Sequence, residues 1–183
     1  MLIRHADPSG DAAACAAIYA PSVSDGVASL EVRAPERSEF ADRIRIISRN
    51  HPWLVAEIGG DVVGYAYASQ HRERAAYRWA ADVTVYVAAS RHRRGIGRGL
   101  YGTLLPLLAR QGIYVACAGI TLPNDASVGL HESLGFAPIG IYRDIAFKHG
   151  CWRSVGWWQV ALREHGPLEA PAEPGPPVRL DEP

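Results

Sequence analysis

Apolar and polar positions along the chain change period several times, and each change marks an element. "MLIRHA" at the N-terminus reads as a short strand. In "DPSGDAAACAAIYAPSV", Asp7 or Ser9 is a candidate cap for a helix whose apolar face would include Ala13, Ala16, Ala17 and Ala20. "APERSEFADRIRIISRN" starts on a proline, with acids early and arginines late, as a helix macrodipole favours. "WLVAEI" and "VVGYAYAS" are β-rich runs joined by Gly59-Gly60-Asp61, a hairpin signal. "WAADVTVYVA" is a further strand, with Val83, Val85 and Val87 on one face. Gly97 to Gln111 has helical spacing, with Pro106 expected to bend or shorten it and Gly112 to end it. "IYVACAGIT" reads as a buried strand. "LPND" turns the chain into a short helix capped by Asn124 or Asp125, and "FAPIGIYRDIAFKHG" and "SVGWWQVAL" read as two antiparallel strands.

The order is strand, two helices, three strands, helix, strand, helix, two strands. It predicts an α+β (mixed α/β) domain over residues 1–163, with no internal repeat. From residue 164 to 183 the composition turns proline-rich and aperiodic, which predicts an extended, disordered tail.

Composition narrows the function classes. The 183 residues hold 19 basic and 19 acidic side chains, for a formal net charge of zero. A neutral chain lacks the basic field that broad nucleic-acid or anionic-membrane binding requires, so any phosphate site has to be a local patch. Lys148 is the single lysine, so an isolated arginine carries little information in this chain. Cys15, Cys117 and Cys151 are scattered and show no zinc-ligand spacing. This usage predicts no metal and a reducing, cytoplasmic setting. The N-terminus carries charge at once and lacks a signal-peptide core, and no apolar run reaches 18 residues.

The patch is "RHRRGIGRGLYG", residues 91–102, placed between a strand and a helix. Glycines let the backbone approach a ligand, and a helix N-terminus favours an anion. Gly97, Gly99 and Gly102 satisfy G-x-G-x-x-G, but the basic tetrapeptide ahead of them, and the missing acid after the next strand, disfavour a dinucleotide fold.

Arg93-Arg94-Gly95-Ile96-Gly97-Arg98 instead resembles the R/Q-x-x-G-x-G/A signature of the GNAT superfamily of acetyl-CoA-dependent N-acetyltransferases. "LPNDASVGLHESLGF" resembles that family's second motif, one β–α unit later. "GYAYAS", "VYV", "GITLPN" and "FKHGCWRSVGWWQ" look like its phosphinothricin and methionine sulfoximine branch, over about residues 2–163.

The resemblance implies a twisted mixed sheet of six to seven strands with about four helices. It implies acetyl-CoA as cosubstrate, with the loop residues at the pyrophosphate and Asn124 and Ser127 at the pantetheine arm. Backbone N–H groups of Val85, Tyr86 and Val87 would stabilise the oxyanion. Asp82, where the branch usually carries glutamate, would be the base, and His131, where most of the family has tyrosine, the acid. Cys117 reads as core. The loop "HRERAAYRW" would supply Arg72, Arg74, Ala75 and Tyr77 to an anionic amino-acid analogue, with two guanidinium groups as a clamp. Arg78 is the weakest of these contacts. His71 and Leu30 stand where the branch favours bulky or aromatic residues, and "SLEVR" would lie near the substrate mouth. The family also implies a homodimer, and Trp152, Trp157 and Trp158 crowd near the last strand.

Plain structural roles stay open for each residue at this stage: a solvated arginine loop, an aspartate capping a turn, a histidine packed on a helix. Three function classes follow: an acetyltransferase for an amino-acid analogue, one for a polyamine, aminoglycoside or protein N-terminus, or a CoA-binding sensor without turnover.

Overall fold

A computed structural model describes residues 1–164, 166 and 171–180. The elements are β1 (Leu2–His5), α1 (Ala12–Ser24), α2 (Arg37–Ile47), β2 (Trp53–Ile58), β3 (Asp61–Gln70), β4 (Ala80–Val87), α3 (Ile96–Gln111), β5 (Val115–Leu122), α4 (Asp125–Glu132), β6 (Ala137–Lys148) and β7 (Cys151–Ala161). The strands form one seven-stranded sheet in the order β1-β2-β3-β4-β5-β7-β6. Every neighbouring pair is antiparallel except β4–β5. The mixed α/β expectation, with its strand and helix numbers, holds.

Each face of the sheet carries its own core. α3 lays Leu100, Tyr101, Leu104 and Leu108 on a face that includes Val83, Ala116 and Ile120. α1 and α2 cover the other face, where Tyr19, Phe40 and Ile44 meet Trp53 and Tyr65.

The buried side of α1 differs from the expectation. It is Ala12, Cys15, Tyr19 and Val23, while Ala13 and Ala17 are exposed. An alanine-rich helix has nearly no amphipathic signal, so its rotation is set by what precedes it. The Asp7 carboxylate caps the N–H groups of Ser9 and Gly10 in a local turn. The Asp11 carboxylate accepts two bonds from Arg4, at 2.7 and 2.8 Å, and one from the Asp7 N–H. Those contacts fix where the helix begins and which side turns inward.

Pro106 lies inside α3 without ending it. The missing N–H and the ring clash cost about 3 kcal/mol, and burial of Leu100, Leu104, Leu107 and Leu108 on the sheet outweighs that. Gly112 closes the helix with φ 99°, a left-handed conformation suited to glycine.

Residues 171–180 also correct an expectation: they lie on the domain rather than forming a disordered tail. Gly175 N–H donates to Gln111 O at 2.8 Å, Gln111 Nε2 donates to Gly175 O at 3.0 Å, and Trp79 Nε1 donates to Ala172 O at 2.9 Å. Val178 packs against the α3-side core. Prolines have little conformational freedom to lose, so a few good contacts suffice to seat such a segment. Residues 165, 167–170 and 181–183 of the expected tail lie outside the described residues.

One feature of the sheet positions the site. Pairing between β4 and β5 runs only from Ala80↔Val115 to Asp82↔Cys117. Beyond that point β4 stays with β3 as far as Val87, and β5 stays with β7 as far as Leu122. The two strands part, and the sheet opens at its centre.

Candidate active site

The parting leaves one edge of β4 unpaired, and the backbone direction there can be read. Ala88 N–H donates to Val63 O at 2.9 Å, so Ala88 faces β3. A Cβ on Gly64 of β3 would lie 3.0 Å from Tyr86 O, so Tyr86 faces β3 too. Alternation along a strand then turns the N–H and C=O groups of Val85 and Val87 to the open edge. His92 Nε2 bonds Val87 O from that side at 2.9 Å. The Tyr86 ring packs against Tyr19 and Tyr65 at 4.9 and 5.6 Å. Of the three strand residues singled out in the sequence, Val85 and Val87 present N–H groups to the gap and Tyr86 does not.

On the α3 side of the gap lies a groove of about 810 Å³. Its walls include Val85, Val87, Arg93, Gly95, Ile96, Gly97, Arg98 and Ser127. Arg91 and His92 join them, whereas Arg94 is exposed and outside the lining. Arg93 and Gly95 have φ of 59° and 76°, which alternates the backbone and gathers N–H groups on one side of the loop. The first intrahelical bond of α3 runs from Gly99 N–H to Gly95 O at 2.9 Å. The N–H groups of Ile96, Gly97 and Arg98 precede it and point out of the helix end. A Cβ on Gly97 would meet Leu130 Cδ2 at 3.1 Å, so the start of α3 approaches α4 as closely as glycine allows. Backbone donors, a helix N-terminus and arginines together fit the pyrophosphate of a coenzyme A.

Asn124 sits at the rim in another role. Its Oδ1 accepts the Ser127 N–H at 3.1 Å and caps α4, and it is absent from the groove wall.

On the opposite side of the gap is a cavity of about 450 Å³. Asp82 and Thr84 of β4, Thr121 of β5, and Tyr142 and Trp157 of the β6–β7 pair line it, with Leu30 at its edge. Leu30 is held from both sides. Lys148 Nζ donates to Ser29 O at 2.7 Å, and Glu31 accepts two bonds from Arg43 at 2.7 and 2.9 Å and one from Tyr19. Asp82 is the one charged side chain in this lining. Burial pushes its carboxyl above the ordinary value, and His71 opposes that shift by hydrogen bonding and charge. His71 Nδ1 is 2.6 Å from Asp82 Oδ1. Two aromatic rings fix the imidazole edge-to-face, Tyr77 at 5.7 Å and Trp157 at 6.0 Å.

The arginine clamp is not assembled. The Arg72 guanidinium lies over the Trp157 ring at 5.6 Å, at the margin of the cavity. Arg74 and Ala75 are exposed on the loop and outside the lining, and Tyr77 reaches the site only through His71. Arg78 turns the other way, toward Glu173 and its own loop carbonyl Ala75 O.

His131 does not stand free in either space. It is buried, its Nδ1 donates to Ser127 O at 2.7 Å, and its Nε2 accepts from Tyr101 O–H at 3.1 Å. Burial pushes its pKa down, and the Ser127 bond pulls it only partly back. Both ring nitrogens are engaged and the imidazole packs against Phe136 at 5.0 Å, so the side chain is held in the core. The structure thus places His131, expected as the acid, in the core and outside the lining of both the groove and the cavity.

Residues 18–136 match the acetyltransferase (GNAT) family. The chain belongs to that family. The phosphinothricin N-acetyltransferase of Streptomyces viridochromogenes is 43% identical over 140 residues, which cover 76% of this chain and 74% of that one. The L-methionine sulfoximine/L-methionine sulfone acetyltransferase of Salmonella typhimurium is 32% identical over 173 residues, 93% of this chain and 99% of its own. A GNAT phosphinothricin acetyltransferase from Sinorhizobium meliloti, solved with AcCoA, superposes with a TM-score of 0.88 at 34% identity, covering 94% of this chain and 93% of that one. The protein is thus a GNAT N-acetyltransferase and its cosubstrate is acetyl-CoA.

Sequence reasoning missed two features of this site. It took His71 only as a change in side-chain preference, not as the partner of Asp82. Of the three tryptophans crowded near the last strand, Trp157 walls the cavity, Trp158 is buried and Trp152 is exposed. The "VGWWQ" stretch was the available signal for the wall, since adjacent strand residues face opposite sides.

Proposed function

We propose that this enzyme transfers the acetyl group of acetyl-CoA to the α-amine of a small amino-acid analogue of the L-phosphinothricin or L-methionine sulfoximine/sulfone type. The observation that carries the reading is Asp82, a partly desolvated carboxylate in a cavity whose β4 lining, Asp82 to Thr84, adjoins the groove residues Val85 and Val87 along the same strand. The relatives at 43% and 32% identity bear names of that substrate class.

Acetyl-CoA supplies a thioester carbonyl for the amine to attack. The chain's own residues do the rest. Arg93, Gly95, Ile96, Gly97 and Arg98, joined by Arg91, hold the diphosphate end, and Ser127 lies along the path of the pantetheine arm. Val85 N–H and Val87 N–H sit on the open strand edge, where charge on the carbonyl oxygen needs donors. Asp82 takes a proton from the substrate ammonium, and His71 keeps its carboxylate turned and ionised. Arg72, stacked on Trp157, meets the substrate's anionic group at the mouth. Arg74, Ala75 and Tyr77 form the loop that carries it.

A polyamine or an aminoglycoside would call for several acids, and Asp82 alone carries negative charge in this lining. The working form in this reading is a homodimer. β6 leaves Ile139, Ile145 and Phe147 at 54, 58 and 59% exposure, with Trp152 of β7 at 62% beside them. Such apolar area on an edge strand favours a partner. The three cysteines are free, which fits a cytoplasmic setting. Among the described residues no helix is long and apolar enough to cross a membrane. The test is thiol release from acetyl-CoA with each amine class offered in turn, in the wild type and in Asp82→Asn.

A further inference from the structure

Three neighbouring strands bring one nitrogen, one oxygen and one sulfur ligand to a single point. His71 follows the end of β3, Asp82 lies on β4 and Cys117 lies on β5. Asp82 and Cys117 are register partners in the short parallel pairing, so their side chains leave the sheet on the same side. The imidazole nitrogen, carboxylate oxygen and thiol sulfur all lie within 4.8 Å of one another. Cys117 is buried, and His71 and Asp82 are partly buried. Asp82 opens to the cavity, which leaves one side of the cluster accessible to a small solute.

We propose that His71, Asp82 and Cys117 form a site for a borderline-soft divalent cation of the zinc class, and that its occupation switches acetyl transfer off. The donor set decides the class of ion: imidazole, carboxylate and thiolate together suit zinc and disfavour magnesium or calcium, which take oxygen ligands. The distances are within reach. Zinc bonds of about 2.0–2.3 Å at a tetrahedral angle put ligand atoms about 3.3–3.6 Å apart. The His71–Asp82 contact of 2.6 Å has to open slightly, and the thiol has to close in.

Three protein ligands leave a fourth position facing the cavity, where water or the substrate amine completes the shell. Binding displaces the Cys117 proton to solvent as the S–H bond gives way to a sulfur–metal bond. Because the thiol has to lose its proton to bind, affinity rises with pH. A cation bound to Asp82 draws off the carboxylate's charge and leaves it a poor proton acceptor for the substrate. That consequence rests on Asp82 being the base; the site itself does not.

The test uses the full chain in a Cys151→Ser background, which removes the exposed thiol. Cobalt(II) serves as the spectroscopic probe and zinc(II) as the inhibitor. The site predicts a thiolate-to-cobalt absorption band that saturates at one equivalent and vanishes in Cys117→Ala. It also predicts zinc inhibition of thiol release, reversed by EDTA. Cys117→Ala should retain turnover and need more zinc by over the roughly 10–100-fold that mere second-shell changes cost. A cobalt spectrum without a thiolate band, or equal zinc sensitivity in Cys117→Ala and its parent, overturns the proposal. Absence of turnover with every amine would count against the substrate reading alone, because the cobalt titration still reports on the site.

Discussion

His71 Nδ1 lies 2.6 Å from Asp82 Oδ1, and the two side chains come from opposite ends of the β3–β4 connection. Aspartate is one methylene shorter than the glutamate usual at this place, and the imidazole beside it anchors the shorter arm. Burial raises the Asp82 carboxyl, and His71 opposes the rise. In the proposed role as base, Asp82 acts when ionised, which predicts that turnover climbs with pH through that raised value. His71→Phe removes the opposing hydrogen bond, so the acid limb of kcat/KM should move to higher pH. A loss of rate that is equal at every pH would mean that His71 is merely structural.

Asp82→Asn keeps the shape and removes the proton acceptor. Loss of a general base costs about 10²–10⁴ in rate. The fall should appear in kcat, with KM for acetyl-CoA little changed, because Asp82 faces the cavity and not the groove. Steady-state kinetics with acetyl-CoA as the varied substrate separates the two constants.

Gly97→Val tests the groove. A Cβ there already meets Leu130 Cδ2 at 3.1 Å, so larger groups crowd the groove wall that Gly97 shares with Leu130 and Val85. KM for acetyl-CoA should rise about tenfold, equivalent to about 1.4 kcal/mol. Binding measured by calorimetry should weaken in step. Unchanged affinity would remove this loop from the cosubstrate site.

His131→Leu separates a core histidine from an acid. The substitution strands the Tyr101 hydroxyl in the interior, at a cost of about 1–3 kcal/mol. Thermal or urea unfolding should register that loss. The alkaline limb of the pH profile should not move, because the imidazole donates its proton to Ser127 O and not to the reaction.

What could be read in the residues before folding, and what could not, divides along physical lines. A cap at Asn124 or Asp125, the Gly59-Gly60 hairpin and the glycine loop are legible because their chemistry is local, and folding selects Asn124. Gly59, Gly60 and Gly95 all take positive φ, as their turns demand. The inward side of α1 is not legible, since alanines on both faces carry no period and Arg4, on the preceding strand, holds Asp11 at the helix start. The pairing of His71 with Asp82 depends on how a loop returns to the sheet. A histidine on a short helix reads the same whether it serves the reaction or, like His131, fills the core. The arginines of the 72–78 loop are likewise separated only by folding: Arg72 meets Trp157, and Arg78 meets Glu173.

Ile145→Glu addresses the homodimer. It places a charge on an exposed apolar strand, where a partner would have to bury it at considerable cost. Light scattering should report a dimer for the wild type and a monomer for the variant. A monomeric wild type would contradict this part of the reading.

The most direct measurement follows thiol release at fixed acetyl-CoA. L-phosphinothricin, L-methionine sulfoximine, L-methionine sulfone, L-glutamate and spermidine are each offered as the amine, to the wild type and to Asp82→Asn. The account predicts saturable turnover with the phosphinothricin or sulfoximine class, none with spermidine, and collapse of the rate in Asp82→Asn. Turnover with spermidine alone, or an undiminished rate in Asp82→Asn, would contradict it.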